Sequence, residues 1–346
     1  MTPQIDLMSA ADAPRWDAYV AGSSRATLFH TTGWKRVVEE TYGHPGLYLW
    51  ARSGGRVCGI LPVFLCGSRV TGRALIALPF CATQPSVCAD DEKTERALID
   101  AALGLAETHD AGYVELREQD EKPWGWSVKR TYANLRLPLV PDPETVWRTR
   151  AESRVRTKVR EAIRNGLCVR WGGPDDLNDF YALYTHTMHR LGSPPHAKAL
   201  FLNILNVFPE HTEIALVLHG ERPVAGAFVM HDRGWIGFPW AASLAEAHPL
   251  RPNNLLYWSI IERACREGFL GLDLGRSPIG SGTMHFKRQW GATVHPLAYY
   301  YGLVDGHHLP GRDASDPMMV RASRVWRWLP ARAAAWLGPR LARLIP

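Results

Sequence analysis

Short runs that alternate apolar with small or polar residues, followed by longer runs with helical spacing, occur twice along the chain. The first series predicts, in order, a hairpin at 47–53 and 56–65, a strand at 73–80, a helix from Asp90 or Asp91 to about His109, and a strand at 112–117. The second series predicts strands at 213–219, 223–231 and 234–241, a helix at 252–267 and a strand at 269–274. This repeated order indicates two copies of one domain with an α/β (α+β layered) fold.

Other segments fill the spaces around the two series. Further helices are predicted at 12–21, 33–42, 152–165, 176–191 and 197–207. Residues 128–139 close the first half, and three prolines then mark a boundary: Pro138, Pro141 and Pro143. We therefore predict three parts: an N-terminal domain at 1–145, a C-terminal domain at 146–310 and a basic Trp/Arg-rich tail at 311–346.

The stretch after the last predicted strand brings polar residues together. A Gly/Ser/Pro cluster at 278–282 predicts a turn, and a short helix follows with Ser281 or Thr283 as its cap and Gly291 as its end. Phe286 and Trp290 lie four residues apart on one face of that helix. The strand end and the helix are expected to bring together Asp273, Arg276 and Lys287, at the kind of strand end where α/β sheets bind ligands.

Charge and composition narrow the class of protein. The net charge is +6, and residues 321–346 hold six Arg and no acid, so the rest of the chain is formally neutral. A uniformly basic surface for nucleic acid is therefore not supported. The first residues show no basic start followed by an apolar run, so no secretory signal is expected. The apolar runs are too short to span a bilayer. The six cysteines do not have the spacing of a zinc site. We expect a cytoplasmic protein with reduced thiols.

The segment Phe286-Lys287-Arg288-Gln289-Trp290-Gly291-Ala292 resembles the "FK-x-x-(F/W)-G" signature of the FemAB family of peptidyl and aminoacyl transferases, which uses the GNAT acyltransferase core twice. The closest likeness is to FemAB-related proteins of exosortase/PEP-CTERM exopolysaccharide systems, and it covers nearly all of 15–305. Other matching pieces are Phe29-His30 with Trp34, Leu61-Pro62, Leu78-Pro79-Phe80, Val114 to Arg117, Leu191 to Pro194, Pro252 to Trp258 and Asp273 to Ser277. The chain departs from the family at Cys81 to Pro85, where a Gly-Gly pair is expected. This departure weakens the case for ligand binding by the N-terminal domain.

Three residues are candidates for the chemistry of acyl transfer to an amine. Lys287 is suited to stabilise the tetrahedral oxyanion, a role that the resemblance also implies; the alternative is a lysine that snorkels over Phe286 and Trp290. Asp273 could orient Lys287 or accept the proton of the amine, or it could only cap the following turn. Arg276 could clamp a phosphate or carboxylate, or pair with Asp273.

The acyl donor is predicted from the loop Ser243 to Asn254. In GNAT enzymes a Gly-rich loop at this place holds the pyrophosphate of coenzyme A, and this loop contains no glycine. Arg251 and the amides at the start of the 252–267 helix remain suited to an anion. The resemblance then favours aminoacyl-tRNA over acyl-CoA as donor, without a permanently bound cofactor. We assign substrate binding to Trp240, Arg251, Asn253, Asn254, Tyr257, Phe286, Trp290, Arg156, Arg160, His30 and Trp34.

Two further groups of residues are open to more than one interpretation. Arg156, Arg160 and Arg164 recur at four-residue spacing and form either a cationic rail for a nucleotide, tRNA or polysaccharide, or a solvated helix face. The histidines at 186, 189 and 196 have no carboxylate at ligand spacing, so no metal site is expected.

The predicted function is transfer of an aminoacyl or acyl group onto an amine of a cell-envelope or exopolysaccharide precursor. The alternatives are an acyl-CoA-dependent N-acetyltransferase acting on an amino sugar and a non-catalytic scaffold of an exopolysaccharide assembly. The tail combines six Arg with Trp326, Trp328 and Trp336, which suits peripheral contact with the inner face of the membrane. A tail folded onto its own domain is the alternative, and Pro330 and Pro339 are expected to break it into short helices.

Overall fold

The structure is a computed structural model that describes residues 3–68, 72–80, 83–307, 309 and 317–344. The strands in this part of the chain are β1 (Gln4–Leu7), β2 (Gly46–Ser53), β3 (Arg56–Ser68), β4 (Gly72–Ala77), β5 (Cys88–Ala89), β6 (Tyr113–Glu118), β7 (Ser127–Pro138), β8 (Leu167–Gly172), β9 (Thr212–His219), β10 (Arg222–Asp232), β11 (Trp235–Ser243), β12 (Gly271–Pro278) and β13 (Thr293–Leu303). The α-helices are α1 (Ala13–Gly22), α2 (Thr32–Tyr42), α3 (Glu92–Thr108), α4 (Pro143–Thr149), α5 (Ser153–Arg164), α6 (Leu177–Leu191), α7 (Lys198–Val207), α8 (Pro252–Arg266), α9 (Gly282–Arg288), α10 (Pro317–Trp328) and α11 (Ala331–Ala342).

The chain forms two compact units. Unit 1 comprises Met1–Thr131, Pro296–Arg312 and Leu341–Pro346, and unit 2 comprises Tyr132–His295 and Asp313–Arg340. None of the described helices is both long and apolar enough to cross a membrane.

Unit 1 is built on strands in the order β1-β2-β3-β4-β6-β13, with β5 paired to β3. The β2–β3 hairpin turns at Gly54 and Gly55, whose φ angles of +57° and +80° favour glycine. Asp91 caps α3 by accepting the backbone N–H of Thr94 at 2.7 Å. The apolar stripe of α3, which includes Leu98 and Ala102, is buried in the core of this unit.

Unit 2 is built on strands in the order β7-β12-β11-β10-β9-β8. Its core lies between the sheet and the pair α5 and α8, which supply Val155, Val159, Ile260 and Ile261. Burial of these β-branched side chains provides the main driving force for folding this layer.

The predicted repeat is present in both units. In each, a hairpin (β2–β3 or β9–β10) is followed by a third strand (β4 or β11), a helix (α3 or α8) and a fourth strand (β6 or β12), in the same sheet order. The third and fourth strands run parallel in both copies, so each pair needs a crossover, which the helix provides. The predicted α/β fold with an internal repeat is confirmed.

The compact units divide the chain differently from the predicted domains at 1–145 and 146–310. Residues 132–138 lie in unit 2, because this part of β7 pairs with β12. Residues 298–303 lie in unit 1, because this part of β13 pairs with β6. Strand pairing between segments distant in sequence decides both assignments, and local sequence signals such as prolines do not report it.

Two local expectations are corrected. The strand predicted at 73–80 ends at Ala77, and Leu78 and Phe80 follow with positive φ angles of 46° and 74°, which extended backbone excludes. Pro330 does separate α10 from α11, but Pro339 lies inside α11 instead of ending it. Pro339 is close to the end of that helix, so its missing N–H removes one backbone hydrogen bond without stopping the last turn.

The segment predicted as a separate tail contains α10 and α11, and part of it packs on unit 2. Trp326 is buried, and the ring Nε2 of His189 lies 2.8 Å from the carbonyl oxygen of Leu329. Gly338 lies so close to Pro195 that a side chain there would collide with the proline ring. These contacts agree with the alternative of a tail folded onto its own domain.

Candidate active site

The site is organised by a bulge in β12. Between Asp273 and Arg276, three residue steps of β12 oppose the two steps of β7 from Arg136 to Asn134. Gly275 lies in the bulge with φ of +73°, a conformation that costs glycine little and other residues more. The bulge directs the carbonyl oxygens of Gly275 and Arg276 toward the side chain of Lys287 on α9.

Lys287 is held at this bulge by two hydrogen bonds. Its Nζ donates to the carbonyl oxygens of Gly275 at 3.1 Å and Arg276 at 3.0 Å. The residue is only 9% exposed, so the interpretation of a lysine that snorkels into solvent is wrong. Burial lowers the pKa of Lys287 to about 8; Asp273 opposes this shift, and Arg276 adds to it. An ammonium has three protons to donate, so two bonds leave one for a ligand.

The helix that carries Lys287 begins as predicted. The Ser281 hydroxyl accepts the backbone N–H of Met284 at 3.2 Å, which makes Ser281 the cap of α9. The helix ends at Arg288, and Gly291 follows with φ of +84° against the backbone of Arg150. A side chain at position 291 would meet that backbone, so the glycine allows the close approach.

Asp273 is bound by several donors. Its Oδ1 accepts the backbone N–H of Gly275 at 2.8 Å, and its Oδ2 accepts the Asn134 Nδ2 at 3.0 Å. The Nε of Arg136 lies 3.7 Å from the same Oδ2. These contacts favour the turn-capping interpretation and leave Asp273 suited to hold the positive charge of Lys287 in place by electrostatic attraction.

Arg276 is the exposed cation of the site. Its guanidinium lies over the ring of Tyr132, 5.2 Å from the centroid. Burial, with a smaller contribution from Arg276, lowers the pKa of His196 to about 4, so this imidazole is neutral at pH 7. His196 packs edge-to-face on Trp240 at 6.1 Å between centroids. Trp240, one of the residues predicted to bind substrate, thus packs against His196, and the charge of Arg276 acts on the imidazole of His196.

Three aromatic side chains pack together beside Lys287. The ring of Tyr257 lies 4.9 Å from Phe286 and 6.0 Å from Trp290, and Phe286 and Trp290 lie 6.4 Å apart. Tyr257 and Trp290 are buried, and burial raises the pKa of the Tyr257 hydroxyl above its usual range. The tyrosine is therefore neutral at any pH where the protein would work.

The loop before α8 differs from a phosphate-binding loop in geometry as well as sequence. Residues Ala245–Leu250 form a 3-10 helix, and Arg251 adopts a left-handed conformation with φ of +67°. The carbonyl of Arg251 accepts the N–H of Asn254 at 3.1 Å, so this amide is already bonded. The Arg251 side chain pairs with Glu161 at 3.2 Å. Asn253 is half-buried beside them.

The basic helix predicted at 152–165 is α5, and its arginines differ in their surroundings. The Nη1 of Arg156 donates to the carbonyls of Ala151 at 2.7 Å and Trp147 at 3.1 Å, at the end of α4. Arg156 therefore caps a helix. Arg160 is exposed and lies over the Trp147 ring at 5.6 Å.

The two candidates of unit 1 occupy core positions. His30 is fully buried; its Nδ1 accepts the N–H of Thr27 at 3.0 Å, and its Nε2 therefore donates to the carbonyl of Pro85 at 2.9 Å. Trp34 is also fully buried and packs edge-to-face on Phe29 at 5.0 Å. His30 thus bonds to Pro85, the last residue of the segment that departs from the family pattern, and the role of His30 and Trp34 in substrate binding stays a prediction.

Sequence reasoning missed two side chains of β7, Asn134 and Arg136. Both hold Asp273, and the Oδ1 of Asn134 is buried without a hydrogen-bond partner. Among the described residues of unit 2, the buried atoms without a hydrogen-bond partner also include the Nδ2 of Asn254 and the hydroxyl of Ser277. Buried polar atoms are almost always bonded, so these three groups are suited to contact a ligand or solvent. The alternation of Asn134 and Arg136 with buried Leu135 was the available signal.

Among the described residues no group of three His, Cys, Asp or Glu side chains is arranged to hold a metal ion. His189, one of the three histidines considered for that role, instead contacts the carbonyl of Leu329.

Comparison with known proteins agrees with this geometry. Residues 149–288 match the family model described as "Acetyltransferase (GNAT) domain". The chain has a FemAB-related GNAT fold. The matched GNAT domain ends at Arg288 and contains the candidate residues Asp273, Arg276 and Lys287, and the match supports an acyltransferase. No curated protein matches the chain in sequence.

Three solved structures share the GNAT architecture over most of the chain. FemX superposes with a TM-score of 0.66 at 15% identity, over 87% of this chain and 98% of its own. The C-terminal domain of a putative lysylphosphatidylglycerol synthetase from Agrobacterium fabrum superposes with a TM-score of 0.56 at 13% sequence identity. The match covers 91% of this chain and 96% of that domain. A tandem GNAT protein from the clavulanic acid biosynthesis pathway superposes with a TM-score of 0.56 at 12% sequence identity. The match covers 88% of this chain and 100% of that protein chain. At these identities the likeness establishes the tandem GNAT fold, and the association with exopolysaccharide systems stays a prediction.

Proposed function

We propose that the protein transfers an aminoacyl group from an ester donor onto an amine of a cell-envelope precursor, with Lys287 as the residue that stabilises the transition state. The observation that carries the proposal is the buried Lys287 ammonium, fixed by two carbonyl oxygens with one proton left to donate. A fixed and poorly solvated cation stabilises developing negative charge more strongly than a mobile one in water.

The reaction requires one bond to form and one to break. The amine nitrogen attacks the carbonyl carbon of the donor, and the carbonyl oxygen becomes an oxyanion that accepts the third proton of Lys287 as a hydrogen bond. The tetrahedral intermediate then expels the donor oxygen, and the proton lost by the amine ends on that leaving group. The products are an amide and a free hydroxyl, so no oxidant or reductant takes part.

Asp273 and Arg276 shift the pKa of Lys287 in opposite directions. The negative charge of Asp273 keeps the ammonium protonated, while the positive charge of Arg276 favours loss of its proton. We assign Asp273 as a positioning residue, because its oxygens already accept hydrogen bonds from Asn134 and Gly275. Arg276 is exposed and suited to bind an anionic group of donor or acceptor.

The donor is assigned from the loop before α8. Coenzyme A needs free backbone N–H groups for its pyrophosphate. Here the backbone N–H of Asn254 donates to the carbonyl oxygen of Arg251, and the Arg251 side chain pairs with Glu161. This arrangement supports an aminoacyl ester, as in aminoacyl-tRNA, over an acyl thioester. The names of two structural neighbours, FemX and lysylphosphatidylglycerol synthetase, support an acceptor from the cell envelope.

The test follows radiolabel from donor to acceptor. The full-length protein is incubated with an extract of amine-containing envelope precursors and either tRNA charged with labelled amino acids or labelled acetyl-CoA. We expect label from tRNA in an acid-stable amide, lost in Lys287→Met and kept in Arg288→Met, the matched change at the next, exposed residue. Label only from acetyl-CoA would favour the N-acetyltransferase alternative. No transfer from either donor by a folded protein would favour the scaffold.

A further inference from the structure

The outer faces of α10 and α11 combine exposed aromatic side chains with arginines. Trp328 is 89% exposed and Val325 is 65% exposed on α10, and Trp336 is 62% exposed on α11. Large apolar side chains are normally found singly on a surface, so three within twelve residues need an explanation. We call Val325, Trp328 and Trp336, with the exposed arginines beside them, the tail surface.

The helical spacing separates the tail surface from the packed side of each helix. On α10, Arg321, Val325 and Trp328 follow at four and three residues and share one face, while Trp326 on another face is buried. On α11, Arg332, Trp336 and Arg340 follow at four-residue spacing and are exposed, while Ala334, Gly338 and Ala342 are buried. Each helix therefore has one face that packs and one that faces solvent.

Both helices rest on the same stretch of unit 2. Ser323 of α10 lies against Gly192, and Gly338 of α11 lies against Pro195. Because the packed faces meet neighbouring residues of one loop, the solvent faces are both directed away from that loop. The tail is thus held in place, and Trp328 and Trp336 are exposed although the same helices had an apolar surface to pack against.

The charge of the segment identifies what the surface fits. Residues 317–344 carry six arginines and no acidic residue. Arg340 lies over the Trp336 ring at 4.1 Å, which keeps the two groups side by side. Arginines binding phosphates beside tryptophans that insert at headgroup depth form the pattern of a peripheral membrane contact. Binding of RNA would explain the arginines but would not explain why the apolar side chain of Val325 is exposed.

We propose that the tail surface binds the anionic headgroup layer of a lipid bilayer. The proposal goes beyond acyl transfer and does not depend on it. Truncation is a poor test, because α10 and α11 pack on unit 2 through buried residues such as Trp326. Substitutions of exposed side chains leave that packing intact and are the appropriate variants.

The experiment measures flotation of the full-length protein with vesicles of phosphatidylcholine alone or with about one third phosphatidylglycerol. We expect binding to the anionic vesicles only, weakened roughly tenfold in Trp328→Ser/Trp336→Ser and in Arg321→Glu/Arg324→Glu. The matched controls change exposed residues elsewhere in unit 2, Leu202→Ser/Ile163→Ser and Arg154→Glu/Arg164→Glu, and should bind as the wild type does. Melting temperatures verify that all variants are folded.

The same proteins are titrated with bulk tRNA in a filter-binding assay. Flotation on anionic vesicles that falls with the tryptophan pair supports the proposal. Absence of flotation, or flotation equally reduced by the control pairs, overturns it. Binding of tRNA that depends on the tail arginines but not on the tryptophans, without flotation, would assign the surface to RNA and also overturn it.

Discussion

The Nζ of Lys287 donates a hydrogen bond of 3.1 Å to the carbonyl oxygen of Gly275, and this bond joins α9 to the bulge of β12. The residue that we propose as the centre of the chemistry is thereby tied to a backbone conformation that favours glycine. The position of the ammonium depends on the φ angle of its acceptor, so the backbone at 275 and the charge at 287 can be tested separately.

Replacing Gly275 with alanine should distort the bulge. At φ of +73° a Cβ adds about 1–2 kcal/mol of strain, and relaxing that strain moves the carbonyl away from Lys287. We expect a lower melting temperature together with lower activity. The control is Gly104→Ala in α3, where nothing lies near a new Cβ and where alanine favours the helix. Normal activity in Gly275→Ala would show that the bulge does not position Lys287.

Replacing Lys287 with methionine should lower turnover roughly 100- to 1,000-fold, because the variant keeps the length of the stem but loses the charge that meets the oxyanion. Arginine should rescue only partly, since its planar group cannot bond both carbonyls in the same way. Steady-state kinetics with an identified donor and acceptor provide the measurement, with Arg288→Met as control. Near-normal turnover in the methionine variant would place the active centre elsewhere.

The pH dependence of the rate should report the protonation of Lys287. If the protonated Lys287 stabilises the oxyanion, the rate should fall as pH rises through about 8, the pKa of Lys287, because the side chain loses its positive charge. Asp273→Asn removes the charge that raises this pKa, so the alkaline limb should move to lower pH. Arg276→Met removes the charge that lowers it, so the limb should move to higher pH. A rate that rises through pH 8 would instead mean that the neutral amine acts as a base.

Glu118 in unit 1 should make stability depend on pH. The side chain is buried, its Oε1 accepts the amides of Ser86 and Val87, and burial raises its pKa from 4.5 to about 7. The folded state therefore favours the protonated acid, and the stability it contributes is present below pH 4.5 and is lost as pH rises through 7.

Glu118→Gln stays neutral at every pH. Urea denaturation should therefore find the variant more stable than the wild type at pH 8, by up to about 3 kcal/mol, and similar to it at pH 4.5. Glu121→Gln, which changes an exposed carboxylate, should show no such crossover. Equal pH profiles for Glu118→Gln and the wild type would mean that Glu118 is ionised at neutral pH without a cost.

The sequence predicted those elements whose signals are local. The Gly54-Gly55 turn, the Asp91 cap and the Ser281 cap each combine a turn or cap residue with a clear period in the following segment. Among the strands of four or more residues, β1, β8 and β13 were missed. Pro296 interrupts the pattern of β13, and all three strands are completed by pairing with distant partners, a contribution that no short window of sequence contains.

The candidate site was predicted in part for the same reason. The strand–turn–helix order placed Asp273, Arg276 and Lys287 together, because they lie within fifteen residues. The bonds of Lys287 to carbonyl oxygens depend on a bulge, and the hold of Asn134 on Asp273 depends on the pairing of β7 with β12. Both are products of tertiary structure.

The pairing of β13 with β6 has a consequence for synthesis of the chain. On the ribosome β6 emerges early, yet the strand that covers its second edge is made only after every strand of unit 2. Until then β6 presents unpaired backbone groups, which are a template for association with other chains. Vectorial folding of unit 1 is therefore delayed until β13 has been made, and nascent chains that stop before Pro296 should depend strongly on chaperones.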